Sequence, residues 1–370
     1  MTAQQAMDLG ISSRNHNRRW RLPLRIAVAV VAGLASLAPV PAMAAKHPPK
    51  PHPNVFAYVA SNDGHVYVID TKTSSVLAIG TITIGGGPDQ VAVTPDGATL
   101  YVTNFFKFVS AINIAKKSTT NINYDQSFAA DILDGEAITP DGKHVYVAVG
   151  NTFHGDKVSV IDTTTNQISD TIKISRPDLV AISPNGKRAY VACDSGVSVI
   201  NTTTDQIIAT IPLNEAPTGM AITPDGKRLF VTGASGNVSV INIAKRKIVH
   251  TIPDAGTGGV AISPNGKRAY VTGAYNNPAQ GKVSIINTAT DTVTTSIAIG
   301  EALPTGTGSG RYFLPSQVAI TPDGKSVYVT GSYGNGSKQG TVFVIDTATK
   351  SATAITVGTS DTQGVAIGRL

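Results

Sequence analysis

The chain has 370 residues, of which only 15% are charged, and a mean hydropathy of +0.06. That composition excludes a disordered acidic or basic polymer. Its single cysteine, Cys193, excludes an internal disulfide, a cysteine-based zinc site and covalent c-type haem attachment, while 36 glycines and 21 prolines without a collagen period forecast many tight turns.

Residues 1–44 read as a secretory signal. A basic stretch (Arg14, Arg18, Arg19, Arg21, Arg25) precedes an apolar run from Ile26 to Val40, and Ala42-Met43-Ala44 supplies a small-x-small cleavage site. The run is shorter than the roughly 20 apolar residues of a membrane span, so no span is expected after cleavage, the alternative being a retained anchor. Arg18-Arg19 leaves a twin-arginine route open beside the general one, although Arg21 stands where that signal prefers an apolar residue. Removing the leader takes away five arginines and one aspartate. That leaves 25 basic against 23 acidic residues, a net charge of only +2 in place of +6. The basic character of the precursor therefore gives no global argument for nucleic acid binding. Residues 45–54 form a Pro-rich linker, expected to be extended.

From residue 55 to 370 the chain repeats itself. A Ser/Thr-Pro-Asp/Asn-Gly tetrapeptide begins at Thr94, Thr139, Ser183, Thr223, Ser263 and Thr321, with spacings of 45, 44, 40, 40 and 58 residues. Each copy separates two short apolar runs, as a hairpin turn does. Proline presets φ, Asp or Asn tolerates the next position, and glycine takes the left-handed one. A third alternating strand follows and ends in Asp70, Asn113, Asp162, Asn201, Asn242, Asn287 or Asp346. The side-chain oxygen there is placed to close a turn on its own backbone. A fourth strand completes the unit, and four short strands per 40–45 residues is the pattern of a propeller blade. The seventh unit is split. Residues 55–84 supply second, third and fourth strands (the last over Val76–Ile84), and Gly364 to Ile367 supplies the missing first. The fold class expected is therefore all-β: a seven-bladed β-propeller of four-stranded antiparallel blades, closed by the C-terminal strand. A closed ring exposes no innermost edge and needs no partner for stability, so a monomer is expected.

The second strands carry a family resemblance. Tyr101-Val102-Thr103-Asn104 spells YVTN, with equivalents beginning at Tyr58, Tyr146, Tyr190, Phe230, Tyr270 and Tyr328. Over residues 55–370 the chain resembles the YVTN-repeat β-propellers of the bacterial and archaeal envelope, including surface-layer and periplasmic proteins. The resemblance implies an exported, cell-surface or periplasmic protein. It departs from WD40 and tryptophan-motif quinoprotein propellers, because the only tryptophan, Trp20, lies in the leader.

By analogy with other propellers, function is expected on the face carrying the loops between strands two and three and between successive blades. Aligning the units puts Asp89, Asp134, Asp178, Thr218, Gly258, Ser316 and Gln363 just before the innermost strands, near the axial opening. Three aspartates on consecutive blades form an acidic crescent suited to a divalent cation or a cationic ligand group, or else they simply accept loop hydrogen bonds. Glu136 stands where other units have Val or Met and must find a partner if it is buried. The same face offers Phe105, Phe106, Phe108, Phe153, His154, Arg176, Tyr275 and Tyr333, with Arg311-Tyr312 on the longest insertion. Aromatic side chains beside an arginine are typical of binding surfaces. The opposite face carries Lys143, Lys187-Arg188, Lys227-Arg228, Lys267-Arg268 and Lys325 after the turn glycines, which an anionic polymer such as nucleic acid or a wall polymer could meet.

The histidines of the repeats, His65, His144, His154 and His250, are scattered and form no ligand motif. That excludes a multi-histidine copper cluster. No nucleophile elbow supports a Ser-His-Asp site, and Cys193 reads as a small buried hydrophobe. The leading expectation is a non-enzymatic scaffold binding a ligand or envelope partner through its loops, with no cofactor beyond a divalent cation at the crescent. The alternative is a lactonase-like hydrolase using Asp89, Asp134, Asp178, Arg176 and Arg311 to activate water.

Overall fold

A computed structural model describes residues 54–77, 81–105, 108–124, 132–150, 155–274, 280–300, 313–333 and 340–369. Every sheet is antiparallel, and together they make seven blades. Six are four-stranded sheets read in chain order. Blade one joins the two chain regions: Thr362–Arg369 lies innermost and pairs with Val55–Ser61, running from Val55 opposite Arg369 to Ser61 opposite Thr362. Its fourth strand differs from the continuous Val76–Ile84 expected. Ser75–Val76 and Ile82–Thr83 pair separately with His65–Asp70. The innermost strands of neighbouring blades touch all around the ring, blade seven against blade one included. The leader and linker up to residue 53 lie outside the described residues, among which no helix is long and apolar enough to cross a membrane.

The turns form for reasons that extend the sequence reading. All six turn glycines hold φ between 69° and 75°, a region that side chains with a Cβ avoid. The leading Ser or Thr does more than expected. Its hydroxyl donates to the side-chain Oδ1 of the Asp or Asn at 2.6–2.8 Å and accepts the N–H five residues on at 2.9–3.0 Å. All seven strand-ending Asp and Asn residues accept a backbone N–H two or three residues later, as the Asx-turn reading requires.

Blades are held to one another by the second strand. Its leading aromatic is buried in every blade: Tyr58, Tyr101, Tyr146, Tyr190, Phe230, Tyr270 and Tyr328 are each at most 3% exposed. Where its hydroxyl finds a partner, that partner belongs to the next blade's outer turn. Tyr101 donates to Asn166 at 2.7 Å and Tyr146 to Asp205 at 2.5 Å. Both acceptors sit at left-handed turn positions, with φ of 54° and 49°. Phe230 lacks a hydroxyl. There Arg228 lies over the Phe230 ring at 5.3 Å and reaches Asp291 of the next turn at 2.8 Å, so a cation takes the hydroxyl's place.

Removing one such clasp is expected to be felt globally. Tyr146→Phe should lower the unfolding free energy by about 1–2 kcal/mol, because Asp205 is left half-buried without its donor; urea denaturation of the two proteins checks this. An unchanged midpoint would mean that the ring contact is packing alone.

Candidate functional site at the axial opening

The residues expected near the axis stand at a repeated irregularity of the innermost strands. In every blade two consecutive residues of the innermost strand oppose one residue of the second strand, a β-bulge that re-aims the chain where it begins. The second bulge residue brings the blades into backbone contact. A Cβ on Gly135 would lie 2.7 Å from the carbonyl oxygen of Asp178, and the Gly135 N–H donates to that same oxygen at 2.7 Å. Glycine is therefore demanded by the approach of blade four.

The two halves of the ring use this position differently. In blades five to seven a threonine of the second strand reaches across. Thr232 donates to the carbonyl of Gly258, Thr272 to that of Ser316 (both at 2.7 Å) and Thr330 to that of Gln363. Thr218 and Ser316 are themselves hydrogen-bonded to such threonines. In blades three and four the equivalent residues are Ala148 and Ala192, both fully buried. The ring positions there are Asp134 and Asp178, and the neighbouring blade-two position is Asp89.

Asp89 retains partial surface exposure, but the protein encloses most of its carboxyl group. That enclosure, reinforced by the Asp178 carboxylate, pushes its pKa up to about 7, and a long 3.4 Å bond from Gln90 only partly opposes the shift. Glu136 is fully buried at the blade two–three interface, paired in register with Val147. At this register the other blades hold Val91, Val180, Met220, Val260, Val318 and Val365. Neither carboxyl oxygen of Glu136 makes a well-formed hydrogen bond, the Ala92 backbone N–H being the one donor that approaches it. Burial and then the Asp89 charge hold its pKa well above the usual carboxylate range, and the Ala92 backbone pulls weakly the other way. Both shifts favour the protonated carboxyl, and Asp89, at about 7, is divided between its two forms near neutral pH.

The remaining predicted residues are dispersed. Arg176, at φ 48°, gives its N–H to Asp156 at 2.7 Å and its guanidinium to Asp194 at 3.3 Å, both on loops between second and third strands. Its contacts are thus with loop aspartates of blades three and four. Tyr333 rests edge-on against Phe313 at 5.4 Å, and Phe313 in turn against Phe343. Phe153, His154, Tyr275, Arg311 and Tyr312 lie outside the described residues, and so does Phe106. Cys193 is buried beside Ser195 and Ser198. Among the described residues no three His, Cys, Asp or Glu side chains are placed to hold a metal ion, so the crescent does not gather a cation's ligand set. Sequence reasoning missed the second-strand threonines Thr232, Thr272 and Thr330 that tie blades five to seven to their neighbours, where blades three and four have Ala148 and Ala192. Blade two, which carries Asp89, also has a threonine there, Thr103, which accepts the Gln90 N–H at 3.1 Å.

This architecture defines a seven-bladed β-propeller with a one-sided acidic ring. The chain belongs to the family described as a domain of unknown function, DUF5074, which matches residues 177–366; residues 39–216 match a choice-of-anchor I domain. A curated relative, the seven-bladed beta-propeller protein Rv1057 of Mycobacterium tuberculosis, is 27% identical over 126 residues. That match covers 33% of this chain and 31% of the relative, so the chain spans about a third of the relative's length. Among solved structures, a functionally unknown protein from Desulfotomaculum acetoxidans is similar at a TM-score of 0.62 and 19% identity, covering 85% of this chain and 99% of that one. The dihydro-heme d1 dehydrogenase NirN is similar at 0.56 and 16% identity, covering 84% and 74%. Both likenesses concern the fold.

The carboxylates set two expectations. Raised folded-state pKa values mean that protonation favours the native ring, so their stabilising effect is present below the unfolded values and lost as pH rises through the folded ones. Asp89→Asn should therefore stabilise the protein by about 2 kcal/mol at pH 8 and hardly at all at pH 4, measured by chemical denaturation at the two pH values. Glu136→Val, which restores the residue type of the other blades, should add about 2–4 kcal/mol at pH 8. A destabilised Glu136→Val protein would mean that the carboxyl has a partner of its own.

Proposed function

We propose that this protein is an exported, cell-surface or periplasmic propeller that binds a ligand bearing a positive charge, such as an ammonium or guanidinium group, at the acidic side of its axial opening, and that it does so without chemistry. The observation that carries this reading is Glu136: a buried carboxyl group with no well-formed hydrogen bond and only the Ala92 backbone close enough to favour its charged form, at a register position every other blade fills with an apolar side chain, and next to Asp89. Burying a carboxylate without a partner costs several kcal/mol. Three acids converging from blades two, three and four are neutralised more cheaply by a cation from outside than by protons alone. The choice-of-anchor match supports a surface or exported location, in keeping with the leader and with the YVTN-like second strands. Loops of the same face, Arg311-Tyr312 among them, would supply the rest of the binding surface.

Native mass spectrometry of the protein recovered from its own host tests this. A discrete added mass of a cationic compound, lost in Asp89→Asn/Asp178→Asn, is the expected result. A bare chain in both proteins, or an added mass indifferent to the substitutions, overturns the reading.

One observation favours the hydrolytic alternative: a carboxyl group with a pKa near 7 is poised to act as a general base at neutral pH. Turnover of simple lactones that disappears in Asp89→Asn would move the assignment there.

A further inference from the structure

The turn face is divided as sharply as the loop face. In blades four, five and six, a Lys-Arg pair follows each turn glycine (Gly186, Gly226, Gly266), and the outer turn of blade five adds Lys245-Arg246-Lys247. Turns between strands one and two and between strands three and four emerge on the same side of a blade, so these nine cations share one face. The lysines and Arg246 are exposed. Only Asp205, Asp225 and Asp291 stand among them, and Asp291 is taken up by Arg228 and His250.

The lack of counter-charge is written into the turns themselves. Each needs a side-chain oxygen to accept a backbone N–H, and Asp or Asn serves equally. Lys187 N–H to Asn185 and Lys325 N–H to Asp323 are both 3.0 Å. In blades four to six, Asn fills five of these six positions (Asn185, Asn201, Asn242, Asn265 and Asn287) and Asp225 the sixth. In the other blades Asp fills six of seven, Asn113 being the exception. The geometry is kept while the negative charge is shed from one sector.

A second feature coincides with this sector. Among the described residues five large hydrophobic side chains stand exposed. Phe105 is on the loop face. Ile207, Ile208, Val249 and Val293 are all on the outer strands of blades four, five and six, close to where those strands leave the turn face. The outer strands of blades two and seven, Ser118–Asn123 and Ala352–Thr356, show no such residue.

We propose that this sector is a docking surface for a bilayer rich in anionic phospholipid. A flat array of cations meets headgroup charge across a plane, and an aliphatic rim enters the headgroup boundary, the two contributions that hold peripheral proteins on anionic membranes. An anionic polymer would use the cations but would leave the aliphatic rim unexplained. Docked this way, the molecule holds its acidic loop face away from the lipid.

Cosedimentation of the protein recovered from its own cells, with phosphatidylcholine vesicles and with vesicles about one-third phosphatidylglycerol, tests the proposal. Binding is expected on the anionic vesicles alone and should fall with salt. Each cation removed weakens binding about five-fold. Charge reversal of the exposed lysines (Lys187→Glu, Lys245→Glu, Lys247→Glu, Lys267→Glu) should therefore abolish it, with the urea midpoint unchanged. Reversal on the same face outside the sector, Lys116→Glu/Lys117→Glu, should retain most of it. Ile207→Ser/Val249→Ser should weaken binding at physiological salt. Equal loss in the Lys116/Lys117 variant, no effect of the aliphatic substitutions, or retention on polyphosphate without any on vesicles would each overturn the assignment.

Discussion

The ring depends on one contact made repeatedly: the aromatic that opens each second strand, buried against the following blade and, in the best-formed cases, hydrogen-bonded to that blade's outer turn. A blade on its own has an apolar face with nothing to cover it. It becomes stable only when a neighbour supplies the covering surface, and the neighbour needs the same service in turn. Tyr101 and Tyr146 meet the need with a hydroxyl, and Arg228 with a guanidinium laid over Phe230. The requirement common to all seven blades is thus the buried ring, to which these three add a donor to the next turn.

The constraint is strict between the blades and loose at the axis. Where innermost strands converge, each blade's bulge frees one residue from strict one-to-one pairing, and its identity varies around the ring. Half the ring spends those positions on threonine and serine hydroxyls that stitch one blade to the next. The other half places Asp89, Asp134 and Asp178 there and opposes the last two with alanine. Adding Glu136 behind Asp89 sets like charges together in an enclosed space, an arrangement that works against stability. A fold held firmly at its blade interfaces tolerates that locally, which is why acids at this place speak of use more than of architecture.

What can be read from the chain follows the distance over which each interaction acts. The turns, the strand-ending Asp and Asn, the complementary ends and the odd position of Glu136 are legible because each is local or recurs at a fixed period. The tyrosine clasps are not, since Tyr101 and Tyr146 meet partners 65 and 59 residues away whose identity varies from blade to blade. Nor can the state of Asp89 be read. Its proton affinity is set by how tightly three blades enclose it, and no residue spacing encodes enclosure. Arg176 illustrates the opposite failure. Proximity in sequence to Asp178 suggests a place among the carboxylates, but the contacts Arg176 makes in a left-handed backbone are with Asp156 and Asp194, which no spacing announces.

The pairing of Val55–Ser61 with Thr362–Arg369 also governs time. Blades two to seven can each gather their strands soon after synthesis, but blade one waits for a segment made some three hundred residues later. Until then the first-made strand offers a bare edge, and the circle stays open as a flexible arc. Such a chain delays its own completion: it cannot lock before its full length is available, and a chain broken off early has no way to imitate the finished molecule.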